Sequence, residues 1–152
     1  VYSGAVGEVK ISLDLNMTYL NKYVVNPFPG GAPIYFDGFI GGGNGGYPKW
    51  RGYGVLTAEK DGISATWSTQ WIGKATDFNA SAGDIGYRTP NVFYHNLQLA
   101  FAIDEKTRFQ IGADNLFDRK APYIQSFTDA NTDTMTYDLL GRRFYAGFRT
   151  AF

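Results

Sequence analysis

The stretch Arg142-Arg-Phe-Tyr-Ala-Gly-Phe-Arg-Thr-Ala-Phe152 decides the fold. Read in steps of two, it places Phe144, Ala146, Phe148, Thr150 and Phe152 on one side. Arg143, Tyr145, Gly147, Arg149 and Ala151 fall on the other. Successive side chains of a strand point to opposite faces, so this reads as a strand with one apolar, aromatic face and one face carrying arginines. A soluble antiparallel sheet with one wet face would alternate in the same way. The aromatic at the last position directs attention to a membrane barrel.

The same period of two recurs upstream. Over Glu8–Tyr19, Val9, Ile11, Leu13, Leu15, Met17 and Tyr19 alternate with Lys10, Ser12, Asp14, Asn16 and Thr18. That run matches the roughly 9–11 residues of a tilted transmembrane strand better than the roughly 5–6 of an ordinary one. Trp50–Glu59 reads as a weaker strand, diluted by Gly52 and Gly54. Ile63–Trp71, Phe93–Ile103 and Thr107–Asn115 alternate clearly, and Arg142–Phe152 closes the series. About six strands result, with no helical periodicity.

The connections alternate in length. Lys60-Asp61-Gly62 and Asp104-Glu-Lys106 are tight turns. Residues 21–49, 74–91 and 116–140 are long polar loops, the first rich in proline and glycine (Asn26–Pro33 and Gly41–Pro48). Short periplasmic turns and longer extracellular loops are the pattern of outer-membrane barrels. On this reading the final strand descends to the periplasm, which places the N-terminus there too. Tyr19, Trp50, Trp71, Phe93, Phe109 and Phe152 lie near strand ends, where aromatic girdles belong.

Bulk composition excludes several classes. Fourteen basic and 14 acidic side chains balance, so no nucleic-acid footprint is expected. The absence of cysteine excludes disulfides and thiolate metal sites. No apolar run reaches the roughly 18 residues of a transmembrane helix. Val1-Tyr-Ser-Gly4 shows no signal-peptide pattern, and the missing initiator Met points to a mature or truncated chain. The slightly negative mean hydropathy does not exclude a membrane strand, in which only every second residue is apolar. About six strands cannot close a membrane barrel, whose minimum is about eight. Open edges are not tolerated in lipid, so the chain reads as part of a larger barrel.

The residues then match a family. Gly112-Ala-Asp-Asn-Leu-Phe-Asp118, Pro122-Tyr123 and Thr136-Tyr-Asp-Leu-Leu-Gly-Arg-Arg-Phe-Tyr145, ending in Phe152, resemble the C-terminus of TonB-dependent outer-membrane receptors. Asp114, Asn115, Leu116, Phe117 and Asp118 correspond to the element that closes the penultimate strand. Tyr137, Asp138, Gly141, Arg142 and Phe144 correspond to the one that opens the last. Thr18-Tyr-Leu20, Pro27-Phe-Pro-Gly-Gly31 and Pro48-Lys-Trp-Arg51 also look like the last third of such receptors.

The resemblance implies that residues 1–152 are the C-terminal portion of a 22-stranded barrel, without the plug domain and TonB box. It implies energised uptake of a scarce nutrient such as an iron-siderophore, cobalamin or an oligosaccharide, in the bacterial outer membrane. The implied partners are outer-membrane lipid, the rest of the barrel and plug, the TonB complex through the absent N-terminal region, the small nutrient ligand, and the barrel-assembly machinery, which would read Phe152. Two rival readings are a self-contained small outer-membrane barrel with an adhesion or structural role, and a soluble all-β binding module or enzyme with a dry interior.

The residues themselves add local expectations. Asp114 and Asn115 are turn formers that can end a strand. Leu116 and Phe117 can tuck against the rim, Gly141 allows a tight entry into the last strand, and Arg142 and Arg143 can pair with loop carboxylates or lipid phosphates. Arg149 faces the lumen on this parity. Asp129-Ala-Asn-Thr-Asp133 begins like a calcium loop, but Thr134 and Leu140 stand where glycine and the closing acid are needed, so a solvated loop is the better reading. Gly41–Gly46 lacks the Lys-Ser/Thr of a phosphate loop and reads as a mobile loop. His95, the sole histidine, reads as structural, and no nucleophile–base–orienter set is visible, so neither enzyme activity nor a metal or other cofactor is expected. Tyr35, Phe36, Tyr47, Trp50, Tyr87, Tyr123 and Tyr137 are the ligand-facing candidates, as aromatics that could stack on sugars or chelates.

Overall fold

The computed structural model describes residues 1–41 and 45–151. The Gly41–Gly46 reading therefore falls partly, and the Phe152 readings wholly, outside the described residues. The strands are β1 (Tyr2–Val6), β2 (Val9–Tyr19), β3 (Val24–Val25), β4 (Ile34–Tyr35), β5 (Phe39–Ile40), β6 (Trp50–Lys60), β7 (Ile63–Ile72), β8 (Thr76–Asp77), β9 (Val92–Ala102), β10 (Thr107–Asp114) and β11 (Arg143–Thr150). Among the described residues there is no helix. Seven strands form one antiparallel meander in the order β1-β2-β6-β7-β9-β10-β11. The sheet is open: among the described residues no ladder joins β1 to β11.

The sheet thus has seven strands where the sequence predicts about six. The added strand is β1, which pairs with β2 through the two-residue turn Gly7-Glu8, with Gly7 at φ 60°. It was hidden because it is short and Gly4 interrupts its apolar parity. The Tyr2 ring folds over that glycine and leaves no room there for a Cβ. Tyr2 lies opposite Leu13, halfway along β2. The chain therefore enters in the middle of the sheet and runs toward the short turns, which corrects the expected start at the short-turn end. The segment 21–49, expected to be all loop, contributes β3, β4 and β5. β3 pairs with β4, and β5 pairs in parallel with β8 from the second long loop.

The three short connections, Gly7-Glu8, Asp61-Gly62 and Ile103–Lys106, all lie at one end, and the long ones at the other. Asp61 (φ 49°) and Gly62 (φ 77°) take the two positive φ values of a type I′ hairpin. Lys60 and Glu8 pair at 2.6 Å across neighbouring turns.

Register gathers the alternating residues onto two faces. One row across the strands reads Tyr2, Leu13, Leu56, Trp67, Leu97, Ala113 and Phe144. Nearer the short turns, the parallel row includes Ile63, Phe101, Phe109 and Phe148. Most of this apolar face is left open by the described residues: Leu15 is 66 %, Leu56 45 % and Phe144 74 % exposed. The opposite face carries Ser12, Asp14, Thr57, Thr66, Ser68, Asn96, Gln98, Arg108, Gln110 and Arg149, and its neighbours hydrogen bond across strands. Thr57 meets Thr66 at 3.1 Å, and Asn96 donates to Ser68 Oγ at 3.0 Å. Arg149, directly opposite Arg108, lies on this polar face.

The buried core sits between the polar-side face and the long loops. At the loop end that face turns apolar, with Ile72, Val92 and Tyr94, and the loops lay Ile40, Ala75, Ile124 and Tyr137 against it. Buried Asp77 ties two loops together: its carboxylate accepts from Ser126 Oγ (2.7 Å), Ser126 N (3.3 Å) and Asn79 N (3.0 Å). Thr89 is a second tie, its Oγ1 accepting from Ala75 N at 2.9 Å and from the Tyr137 hydroxyl at 3.2 Å.

Ile124 is fully buried in this cap. Truncation to Ala should cost about 2–5 kcal/mol and act on the cap alone. Limited proteolysis should then cut residues 116–142 faster, while the β-sheet circular dichroism stays unchanged.

Candidate functional site

The two motif segments meet at the base of the third long loop, between β10 and β11. Asn115 ends β10 with φ 49° and is buried. Asn and Asp tolerate this left-handed conformation better than other side chains. Its backbone N–H donates to Asn96 Oδ1 at 2.8 Å. Its Oδ1 accepts from Arg119 N at 2.7 Å, and its Nδ2 donates to Arg119 O at 3.0 Å and to Asp138 Oδ2 at 3.3 Å. Asp118 accepts from Arg142 N at 3.0 Å and pairs with Lys120 at 3.0 Å. Arg143 reaches Asp138 at 3.1 Å and Asp114 at 3.7 Å. Gly141 at φ 72° lies so close to the Asp118 carboxylate that a Cβ would meet Oδ1 at 2.6 Å. The motif is a clasp that closes the loop's two ends on each other.

Phe117 leaves the clasp and returns to the apolar face, where it contacts Trp67 and His95. Leu116 is held there by a bond from its N–H to His95 O at 2.7 Å, and its carbonyl accepts from Arg142 Nη1 at 3.5 Å. Phe144 lies exposed beneath the Arg142 guanidinium, 5.5 Å from its ring centre. His95 shares a hydrogen bond with Thr69 Oγ1 at 2.9 Å and stacks on Phe93. It belongs to an aromatic ladder at the loop end of the apolar face: Tyr19, Trp50, Trp71, Phe93 and His95, with neighbouring centroids 4.6–6.3 Å apart. Gly52 makes this possible, since the Trp71 ring lies over its bare Cα.

The ligand-facing candidates separate. Phe36 and Tyr137 are each 4 % exposed, so both are packing residues of the cap. Tyr47 lies half-buried against Tyr23, at 4.6 Å. Trp50 is a rung of the ladder. Tyr35, under Lys22, and Tyr123 are half-exposed, and Tyr87 carries Arg88 over its ring. These three lie on different loops, with Tyr123 packed against Gly86 beside Tyr87. The Asp129–Asp133 segment lines a small polar cavity with Gly41, Asn79 and Ser126, and Asp133 itself is buried.

A cavity of about 700 Å³ opens at the loop end beside the ladder. Tyr19, Trp50 and Trp71 form its aromatic side, and Asp37, Lys49, Lys74 and Arg88 its charged side. Asn91 Oδ1 accepts from Trp71 Nε1 at 3.3 Å and from Lys74 N at 3.1 Å, which fixes Lys74 next to the ring. Lys49 holds the Asp37 carboxyl below its usual range, and Asp37 raises Lys49 in turn. Sequence reading missed this grouping, because its cations come from loops far apart in the chain.

No protein-family model matches the chain, nor does any curated protein or solved structure.

Hydrogen bonds from Arg142 N and Lys120 hold the Asp118 carboxyl below its usual range. For Asp138, burial pushes upward, but bonds from Leu140 N, Arg143 and Asn115 outweigh it and the net shift is downward. A carboxylate depressed in the folded state stabilises it above the unfolded pKa of about 3.9 and loses that contribution as pH falls through the folded value. The clasp should therefore loosen only under acid. Titrated by NMR, the Arg142 amide resonance should move with a midpoint below about 3.9, and Asp118→Asn should abolish that movement. Asn115→Ala leaves several polar partners unpaired and should cost about 2–3 kcal/mol in chemical unfolding.

Proposed function

We propose that this chain is part of the wall of a bacterial outer-membrane β-barrel: the C-terminal portion of a TonB-dependent receptor for a scarce nutrient such as an iron-siderophore, cobalamin or an oligosaccharide. One observation carries the membrane part of the reading. Among the described residues the apolar face of a seven-stranded sheet is left open except at the corner under Leu116 and Phe117, while the loops fold over the loop end of the opposite, largely polar face. A sheet in water covers its apolar face. A barrel wall turns that face to lipid and its polar face to the lumen.

Dimensions and edges support it. β2 and β6 have 11 residues each, and at about 3.3 Å per residue and a tilt near 45° such strands span roughly 25 Å, the height of a barrel's apolar band. The aromatic ladder at one end and the Phe101–Phe109–Phe148 row at the other sit where interfacial girdles would. The outer edges of β1 and β11 have unpaired backbone groups, which further barrel strands would satisfy. The receptor part rests on the resemblance of residues 112–118 and 136–145. In this reading a plug fills the polar side and couples to TonB, the assembly machinery reads Phe152, and the chain performs transport without catalysis. Tyr35, Tyr87 and Tyr123, on the long loops, are then the nutrient-facing aromatics.

Detergent or lipid should be needed to keep the chain folded and dispersed. In detergent micelles, Leu56→Arg on the apolar face should lower unfolding stability by about 2–4 kcal/mol, while Asn16→Arg on the polar face should leave it nearly unchanged. A chain that is folded and monomeric in plain buffer, with equal responses to the two substitutions, would overturn the proposal.

A further inference from the structure

The cavity beside the aromatic ladder joins two kinds of surface. Below it the apolar face carries Tyr19, Trp50 and Trp71. Above stand Lys49, Lys74 and Arg88, with Asp37 the one carboxylate in the lining. Three cations against one carboxylate leave an excess of two positive charges. Asp37 is already engaged by Lys49 at 3.1 Å. Lys74 and Arg88 are exposed, and among the described residues neither has a carboxylate partner.

From this we infer, resting on the membrane reading above, that the cavity is a site for the headgroup of a phosphate-bearing lipid. The phosphate sits between Lys74 and Arg88, and the acyl chains descend over the Trp50–Trp71–Phe93 stack. The chemistry fits each part. An ammonium and a guanidinium together neutralise a phosphate, the guanidinium in bidentate fashion. Indole rings favour the level where chains meet headgroups. Basic pockets next to membrane-spanning elements select anionic headgroups. A volume of about 700 Å³ accommodates a headgroup and leaves the chains outside on the sheet. A nutrient ligand fits less well, because the cavity adjoins the rings of the apolar face and not the polar face. The site would anchor the wall at a fixed depth, since charge and aromatic floor must both be engaged.

The test uses the full chain folded in micelles of a non-ionic detergent, with a short-chain phosphatidic acid titrated in and tryptophan fluorescence as the readout. Saturable binding is expected, weakened by salt. Lys74→Gln with Arg88→Gln should lower the affinity roughly thirtyfold, while the same double substitution to Arg and Lys respectively should retain most of it. Both positions are exposed, so unchanged unfolding curves will separate lost binding from lost structure. Inorganic phosphate should neither bind nor compete at millimolar concentration. Competition as strong as the lipid's would overturn the lipid assignment and leave a simple anion site. Equal binding of a neutral short-chain lipid would overturn this inference and leave the membrane reading intact. A chain folded and monomeric in plain buffer would overturn both.

Discussion

A strand can hold only one register against each neighbour, and a slip of one residue would turn its apolar set to the opposite face. In this sheet six successive ladders agree, so that the apolar residues of seven strands share one side. Everything else depends on that agreement. It makes one face continuously apolar. It also keeps backbone amides and carbonyls paired within the sheet. The polar face gains its own cross-strand bonds, Thr57–Thr66, Ser68–Asn96 and Gln98–Gln110, from the same registration.

The loops form a second structure resting on the first. Near the long connections the polar face changes from Ser, Thr, Asn and Gln to Ile72, Val92 and Tyr94, and these seat the cap. Polar ties between loops then set its shape. Asp77 bonds to Ser126, 49 residues away, and Thr89 to Tyr137, 48 away. The clasp around Asn115, Asp118 and Asp138 does the same for the ends of the third loop. Its residues are thus structural in a definite sense: they bring the start of β11 beside the end of β10, and Phe117 beside Trp67.

Much of this could be read from residue order. Period-two alternation located β2, β7, β9, β10 and β11 to within a residue or two, and Asp-Gly announced the β6–β7 hairpin. The clasp positions stood out as a motif, although nothing in the spacing revealed that Asn115 and Asp138 touch. β1 escaped because Gly4 broke its parity in a short run. The burial of Phe36 and Tyr137 among the ligand-facing candidates is not legible in the sequence, because a buried aromatic and an exposed one are identical as letters. The cavity beside Trp71 was invisible for another reason. Lys49, Lys74 and Arg88 lie on two different loops, and only the return of each loop to the rim brings them together.

By itself, then, the sequence determined that the chain is all-β, that its strands have one apolar and one polar side, and that long and short connections alternate. Those are local properties, set by the two-residue repeat of extended backbone and by the few residues that tolerate positive φ. Tertiary structure alone decided that the sheet has seven strands and open edges, and that the apolar face is the uncovered one. It also decided which aromatics are core and which cations share a cavity. These depend on pairing and loop closure between residues distant in the chain, which no local pattern encodes.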